Sequence, residues 1–135
     1  MTTLTVTAAQ VRPLHGAVVR RFFAGGTVSI GAVVYVDSSG TVQHTAGGAI
    51  GTTKTLAGIA VATPDGGTSA ASGERVDVVV SGPVAGFSSM TPGTVGFVSN
   101  TAGGVEDAAG TKSAIVGVAI AADTFLVRPQ VVDLS

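Results

Sequence analysis

Apolar and polar residues alternate along this chain in short runs, and Gly, Pro, Asp or Ser punctuates almost every run. Alternation at period two is the pattern of a strand with one buried face, and the punctuation is that of turns. The clearest unit is Thr91-Pro92-Gly93-Thr94-Val95-Gly96-Phe97-Val98. Pro92 presets φ at the second position of a turn, and Gly93 can take the positive φ that the third position of a type II turn requires. The strand launched from that turn sends Val95 and Phe97 to one side and Thr94, Gly96 and Val98 to the other.

The unit occurs twice. Ile30-Gly31-Ala32-Val33-Val34-Tyr35-Val36 aligns with it when Gly31 is set on Gly93, an offset of 62 positions that puts Val33 on Val95, Tyr35 on Phe97 and Val36 on Val98. A second echo follows each copy. Leu56-Ala57-Gly58-Ile59-Ala60-Val61-Ala62 aligns with Ile115-Val116-Gly117-Val118-Ala119-Ile120-Ala121 at an offset of 59 positions. Two motifs in one order at nearly constant spacing imply an internal duplication.

The remaining runs fill in around these copies. Residues 1–12 alternate Leu4 and Val6 with threonines and continue to Val11. They read either as a frayed terminus or as an arm that adds a strand to a neighbouring subunit. Pro13 ends that run, and Ala17-Val18-Val19-Arg20-Arg21-Phe22-Phe23 forms the next strand, with neither face clean. One of Phe22 and Phe23 belongs in the core; the other is left beside an arginine, a combination enriched at interfaces. Asp37-Ser38-Ser39-Gly40 turns the chain back into a hairpin strand ending at His44. Thr63-Pro64-Asp65-Gly66-Gly67 is a further turn. The cleanest alternation, Arg75-Val76-Asp77-Val78-Val79-Val80, sets Arg75 and Asp77 on one face as a candidate pair, and Ser81-Gly82-Pro83 reads as an interruption before Val84-Ala85-Gly86-Phe87, an edge or bulge where Pro cannot donate to a ladder. Residues 105–112 read as a loop. Thr124-Phe125-Leu126-Val127-Arg128 is the last strong strand, and the tail beyond Pro129, with Val131 and Leu134, is a candidate second arm. Helical periodicity is nearly absent. These short strands and turns predict an all-β fold, a compact single-domain barrel or sandwich of antiparallel strands in two pseudo-repeated halves. The divisions are an N-terminal arm over residues 1–12, a β domain over 13–129 and a tail over 130–135.

Composition sharpens the picture in one respect. The chain is 45% hydrophobic but only 11% charged, with a net charge of −1, against about 25% charged residues in a typical globular protein. A surface of Thr, Ser, Ala, Gly and Val near zero net charge is prone to association, so much of it is expected to be covered by partners. Basic residues number seven and are scattered, with Arg20-Arg21 their one adjacent pair; nucleic acid is not expected as a partner. Nor is a membrane. No apolar run approaches the length of about 20 residues that spans a bilayer as a helix, and the first residues lack the basic and apolar regions of a signal peptide. The chain therefore reads as soluble and made in a cytoplasm. Cysteine is absent, which removes disulfide and thiolate chemistry.

Candidate chemistry is sparse. His15 and His44 stand alone, and no pair of histidines has metal-ligand spacing. Glu106-Asp107 reads as a solvated acidic pair in a loop, and Asp65-Gly66-Gly67 as a turn rather than a calcium loop. Gly47-Gly48 and Gly103-Gly104 precede no helix and so are not phosphate cradles. The expectation is a protein that is not an enzyme and takes no cofactor or metal.

A Gly-x-Val-x-aromatic-Val strand, then a Gly-rich loop, then a Gly-Ile/Val-Ala strand, occurs in both copies, with Gly-Glu-Arg-Val-Asp-Val-Val-Val-Ser-Gly-Pro-Val (residues 73–84) between them. Together these motifs resemble the small capsid decoration proteins of tailed bacteriophages, also called cement or head-stabilising proteins, over residues 16–128. The resemblance implies an all-β domain bound in many copies to the outside of an icosahedral head, in contact with the major capsid protein. It also implies a homo-oligomer, often a trimer, that stabilises the expanded shell, and hence localisation to the virion. On that reading the contact candidates are Leu4, Val6 and Val11 in the first arm, Arg20, Arg21, Phe22 and Phe23 on the mixed strand, and Val131 and Leu134 in the tail. Two alternatives stand beside it. One is a host-surface or glycan-binding β module of the head-fibre type, opposed by an aromatic fraction of 4% with no Trp. The other is a different structural component of the virion, in its tail or neck.

Overall fold

The structure is a computed structural model and describes residues 4–45, 55–99, 101–107 and 114–131. It is almost entirely β: a curled antiparallel sheet forms a half-barrel, and the one helical element among the described residues is a single 3-10 turn, Ala8–Gln10. No helix among these residues is long and apolar enough to cross a membrane.

The strands are, in chain order, β1 (Thr5–Val6), β2 (Arg12–Pro13), β3 (Val18–Phe23), β4 (Val28–Ser29), β5 (Val33–Val36), β6 (Val42–His44), β7 (Leu56–Ala62), β8 (Ser69–Ala70), β9 (Arg75–Ala85), β10 (Phe87–Ser88), β11 (Val95–Val98), β12 (Val105–Glu106), β13 (Ala114–Ala119) and β14 (Thr124–Val131). The main sheet runs β12-β11-β13-β14-β9-β7-β5-β6, with β2 and β3 also paired to β9. β9 is the axis of the molecule. Its residues Asp77, Val78 and Val79 lie between β3 and β7, and Val84 and Ala85 lie between β2 and β14. The strand is not broken at Ser81-Gly82-Pro83, but the irregularity expected there is present as a register shift against β3, where Val18 faces Ser81 and Val19 faces Val79. Pro83 stays in register opposite Leu126, and its carbonyl accepts a hydrogen bond from the Leu14 N–H at 3.0 Å. A proline is tolerated here because the ladder asks its carbonyl, not an N–H, for a bond.

The duplication read from the sequence is present as duplicated geometry. In the first half, Ala32 N–H bonds to Ser29 O at 3.1 Å, Gly31 N–H to Ala60 O at 2.7 Å and Ala60 N–H to Ala32 O at 3.0 Å. In the second half the corresponding bonds are Thr94 N–H to Thr91 O at 3.1 Å, Gly93 N–H to Ala119 O at 2.7 Å and Ala119 N–H to Thr94 O at 2.8 Å. Gly31 and Gly93 sit at φ +93° and +92°, a conformation that costs a side chain-bearing residue strain. The strand registers match as well. β5 meets β7 as Val33↔Ile59, Val34↔Gly58 and Tyr35↔Leu56, and β11 meets β13 as Val95↔Val118, Gly96↔Gly117 and Phe97↔Ile115, with the register shift at the same step.

A close approach fixes that shared shape. A Cβ at Gly58 would overlap the carbonyl oxygen of Val79, and a Cβ at Gly117 would overlap that of Leu126. The two glycines let one strand lie directly against the next, so β9 in the first half and β14 in the second play the same part.

The inner face pairs small with large differently in the two halves. Val34 and Val78 are fully buried in the first half, where the second has Gly96 and Phe125. The Phe125 ring fills the space above Gly96, whose added Cβ would stand 2.6 Å from it. It also meets the Phe87 ring at a centroid distance of 5.4 Å, a separation at which aromatic pairs attract. Val28, Ile59, Val42, Val98 and Val116 complete the core around them.

The two hairpins carry the same substitution of roles. Asp37 accepts four hydrogen bonds: from Ser39 N–H at 2.9 Å, Thr41 N–H at 3.1 Å, Thr41 Oγ1 at 2.6 Å and Gln43 Nε2 at 2.7 Å. The side-chain bonds from Thr41 and Gln43 are foremost in lowering its carboxyl pKa to about 2. The equivalent turn residue in the second half is Ser99, which accepts the Thr101 N–H at 2.9 Å and donates to Glu106 Oε1. Glu106 stands opposite Phe97 as Gln43 stands opposite Tyr35. The acid has thus moved from the turn to the return strand. This corrects the reading of Glu106 as a solvated loop residue: it is on β12 and only 6% exposed, with Oε2 lacking a partner among the described residues. Gly103 docks this second hairpin on the first half, accepting the Val33 N–H at 2.8 Å and donating to Thr45 O at 2.8 Å.

Candidate interaction surface

An exposed sheet edge, β3, carries four of the nine contact candidates singled out from the sequence, Arg20, Arg21, Phe22 and Phe23. β3 is paired to β9 from Val18↔Ser81 to Phe23↔Arg75, and β9 is its only strand partner among the described residues. Its apolar side chains are largely bare, with Val18 48%, Val19 41% and Phe23 52% exposed. Arg20 and Arg21 between them are exposed too. Phe22 is half-buried and packs against the core, so of the two aromatics it is Phe22 that anchors the strand and Phe23 that faces outward.

The electrostatics of this edge follow from strand pairing. Arg21 and Asp77 are cross-strand partners, and their side chains form an ion pair, Nε to Oδ1, at 3.4 Å. An exposed pair of this kind contributes at most about 1 kcal/mol. The Arg75–Asp77 pairing expected from their shared face gives way to it. Arg75 instead lies over Phe23, its guanidinium carbon 6.0 Å from the ring centroid, within cation–π range. Arg12 on the adjoining β2 is exposed as well. Four of the chain's five arginines therefore lie along β2, β3 and the start of β9. The net effect is a basic, apolar edge on a nearly neutral molecule.

The N-terminal segment is drawn onto the body. β1 pairs with β10, and Leu4 N–H bonds to Val105 O at 2.7 Å. Leu4 is half-buried against the core, and Val11 is 8% exposed and part of it. Val11 is therefore committed within this chain rather than offered as a contact. Val6 is 36% exposed, with its methyl groups set over Gly31. At the other end, Val131 closes β14 opposite Ala114, while Leu134 lies outside the described residues. Gly47-Gly48 lies outside them too.

The polar residues weighed for chemistry have structural partners. His44 Nε2 accepts the Ser29 N–H at 2.9 Å, and burial holds its pKa below the usual histidine value. That ring is neutral and serves as an acceptor. Asp65 accepts the Thr63 hydroxyl at 2.5 Å and the Gly67 N–H at 2.9 Å, chiefly the first of which lowers its pKa. His15 is exposed. Among the described residues no three of His, Cys, Asp and Glu come together as metal ligands do.

A second surface escaped the sequence reading. On the outer face of β11, β13 and β14, Val95, Ile115, Gly117, Val118 and Arg128 line an open groove of about 210 Å³. The signal was available in principle, because Val95, Val118 and Leu126 are successive cross-strand partners and so share a face. What hid it is that the same face in the first half is buried.

The chain matches no protein-family model, and no curated protein matches it.

Proposed function

We propose that this protein is a non-enzymatic structural component of a virion, binding the outer surface of a tailed-phage capsid in many copies and stabilising the expanded head, as a homo-oligomer in trimers. Its partner is the major capsid protein, and its place is the capsid surface. The reading rests first on the motif resemblance described above, and its physical support is the β3 edge. A strand paired on one side only among the described residues, and carrying Val18, Val19 and Phe23 in the open, invites pairing with another chain. Natural edges are usually blunted by charge, and here Arg20 and Arg21 keep the strand soluble while leaving it selective for an acidic, apolar partner surface. A rigid β body with few charges suits a subunit whose task is to be covered on assembly.

Phe23 carries the test. Phe23→Ser removes an exposed ring, so the melting temperature stays essentially that of the wild type. Loss of an aromatic anchor at an interface costs 2 kcal/mol or more on the order of magnitude typical for such positions, a roughly 30-fold weakening. Co-sedimentation with expanded, undecorated capsids of the encoding phage measures it. Equal binding by Phe23→Ser and wild type removes β3 from the interface.

A further inference from the structure

We infer that β3 accepts an added strand along residues 19–22, supplied by an extended segment of a partner protein that sets a carboxylate opposite Arg20. This contact rests on the β3 interface proposed above and gives its mode, which is backbone pairing rather than contact between side chains alone.

The backbone directions supply the first observation. Ala24 N–H bonds to Glu74 O at 2.8 Å and Ala24 O accepts the Gly73 N–H at 2.7 Å, so the polar groups of Ala24 face the β9 side. That direction reverses at each residue of a strand, so Phe22 and Arg20 also face β9, while Arg21 and Val19 face away from it. The facing strand agrees. Val79 stands opposite Val19, yet its carbonyl points to β7, where a Cβ at Gly58 would overlap it. Val19 and Val79 are thus one of the pairs that exchange no hydrogen bond. The N–H and C=O of Val19 are turned outward, as are those of Arg21. No other strand among the described residues meets them there.

The open stretch is bounded at both ends. Gly25 N–H bonds to Val42 O at 2.9 Å, and Ala24 forms a parallel bridge with Val42, where β6 begins. The edge is therefore closed at Ala24 and Gly25 and open over residues 19–22. At the other end lies the register shift between Val18 and Val19. An edge whose polar groups are turned outward is a template for a further strand.

Charge and exposure define what that strand must carry. β2, β3 and β9 hold Arg12, Arg20, Arg21 and Arg75 against a single carboxylate, Asp77, which Arg21 engages. Arg20 is exposed and makes no ion pair among the described residues. Its neighbours Val18 and Val19 are apolar and largely bare. A carboxylate opposite Arg20, flanked by apolar residues, complements all three. A second copy of this chain fits poorly, because pairing β3 with β3 would set Arg20 and Arg21 of one copy among those of the other.

Amide hydrogen exchange read by NMR on the full chain tests this, with the blocked peptide acetyl-Thr-Val-Glu-Val-Thr-amide as the probe. In the free protein the amides of Val19 and Arg21 should exchange at least about 100-fold faster than those of Arg20 and Phe22. Saturating peptide should slow Val19 and Arg21 about 10-fold. Two further peptides, N-methylated at one or the other set of alternate residues, separate backbone pairing from side-chain contact. One set should bind as the parent does and the other not at all, since only alternate amides face β3. Arg20→Glu should weaken the parent peptide about 10-fold and gain binding of acetyl-Thr-Val-Lys-Val-Thr-amide, a gain that also shows the variant to be folded. Slow exchange of Val19 and Arg21 in the free chain, no protection by the parent peptide, or equal binding of both methylated peptides would overturn the inference. So would an Arg20→Glu variant with unchanged peptide preference. Capsid co-sedimentation separates this contact from the reading it rests on. Capsid binding lost in Phe23→Ser, with no peptide effect, overturns strand addition alone. Peptide protection without capsid binding by the wild type overturns the capsid reading and leaves strand addition standing.

Discussion

Phe125→Ala is expected to destabilise the protein by about 4 kcal/mol, lowering the melting temperature by on the order of 10 °C or more. The ring is 0% exposed, stands over Gly96 and contacts Phe87, so its removal leaves a cavity that the glycine opposite cannot fill. The duplicated halves make a sharper version of this experiment available. The first half fills the same place with Val34 and Val78, in the presence of Val42 where the second half has Val105. Gly96→Val alone should cost about 3 kcal/mol, because its added carbon meets the Phe125 ring at 2.6 Å and Val105 at 2.7 Å. Gly96→Val combined with Phe125→Val recreates the first-half arrangement. The double variant should therefore be more stable than the sum of the single changes by at least about 2 kcal/mol, a strong coupling for residues in direct contact. Denaturant titration of the four proteins measures it, and additive single effects would show that the halves do not share one core plan.

Gly58→Ala and Gly117→Ala should each cost about 3 kcal/mol. Neither site has room for a methyl group, since the new carbon would fall on the carbonyl oxygen of the neighbouring strand, at Val79 and Leu126 respectively. Those obstacles are backbone, held in the sheet by their own pairing, and cannot rotate aside. Gly40 provides the contrast. Its φ is +80° but an added Cβ meets nothing within 4 Å, so Gly40→Ala bears conformational strain alone, about 1 kcal/mol. Thermal melts of the three variants are the check. Equal, small effects at all three positions would mean that the close strand approach is not what shapes the halves.

These expectations show what kind of information the sequence carries. Gly31 and Gly93 were legible because a turn imposes its demand on two or three adjacent residues, and the demand is written in residue type. The offset between the copies survived because Gly58 and Gly117 face backbone atoms in both halves, a requirement no other residue meets. The groove was illegible for the opposite reason. Val33 and Val95 are the same residue type at the same register, and only the rest of the fold decides that one is covered and the other bare. Glu106 was misread because a carboxylate beside Asp107 in a Gly-flanked stretch looks solvated, whereas its hydroxyl partner, Ser99, sits across the hairpin. The continuity of β9 through Pro83 likewise depends on Leu14, a residue far away in the chain. Residues 4–11 carried a strand-like pattern that does not say which strand accepts it; pairing with β10 and burial of Val11 are tertiary choices. At the β3 edge, the composition of Arg20-Arg21-Phe22-Phe23 pointed to an interface, while the division of labour between the two rings came from the position of β3 at the side of β9.

The central claim is that this protein coats a capsid, and the copy number of the chain per purified particle tests it most directly. Quantitative mass spectrometry of particles, with the major shell protein as internal reference, provides the number. A copy number comparable to that of the shell protein is the expected result. A handful of copies per particle, or none, would contradict it.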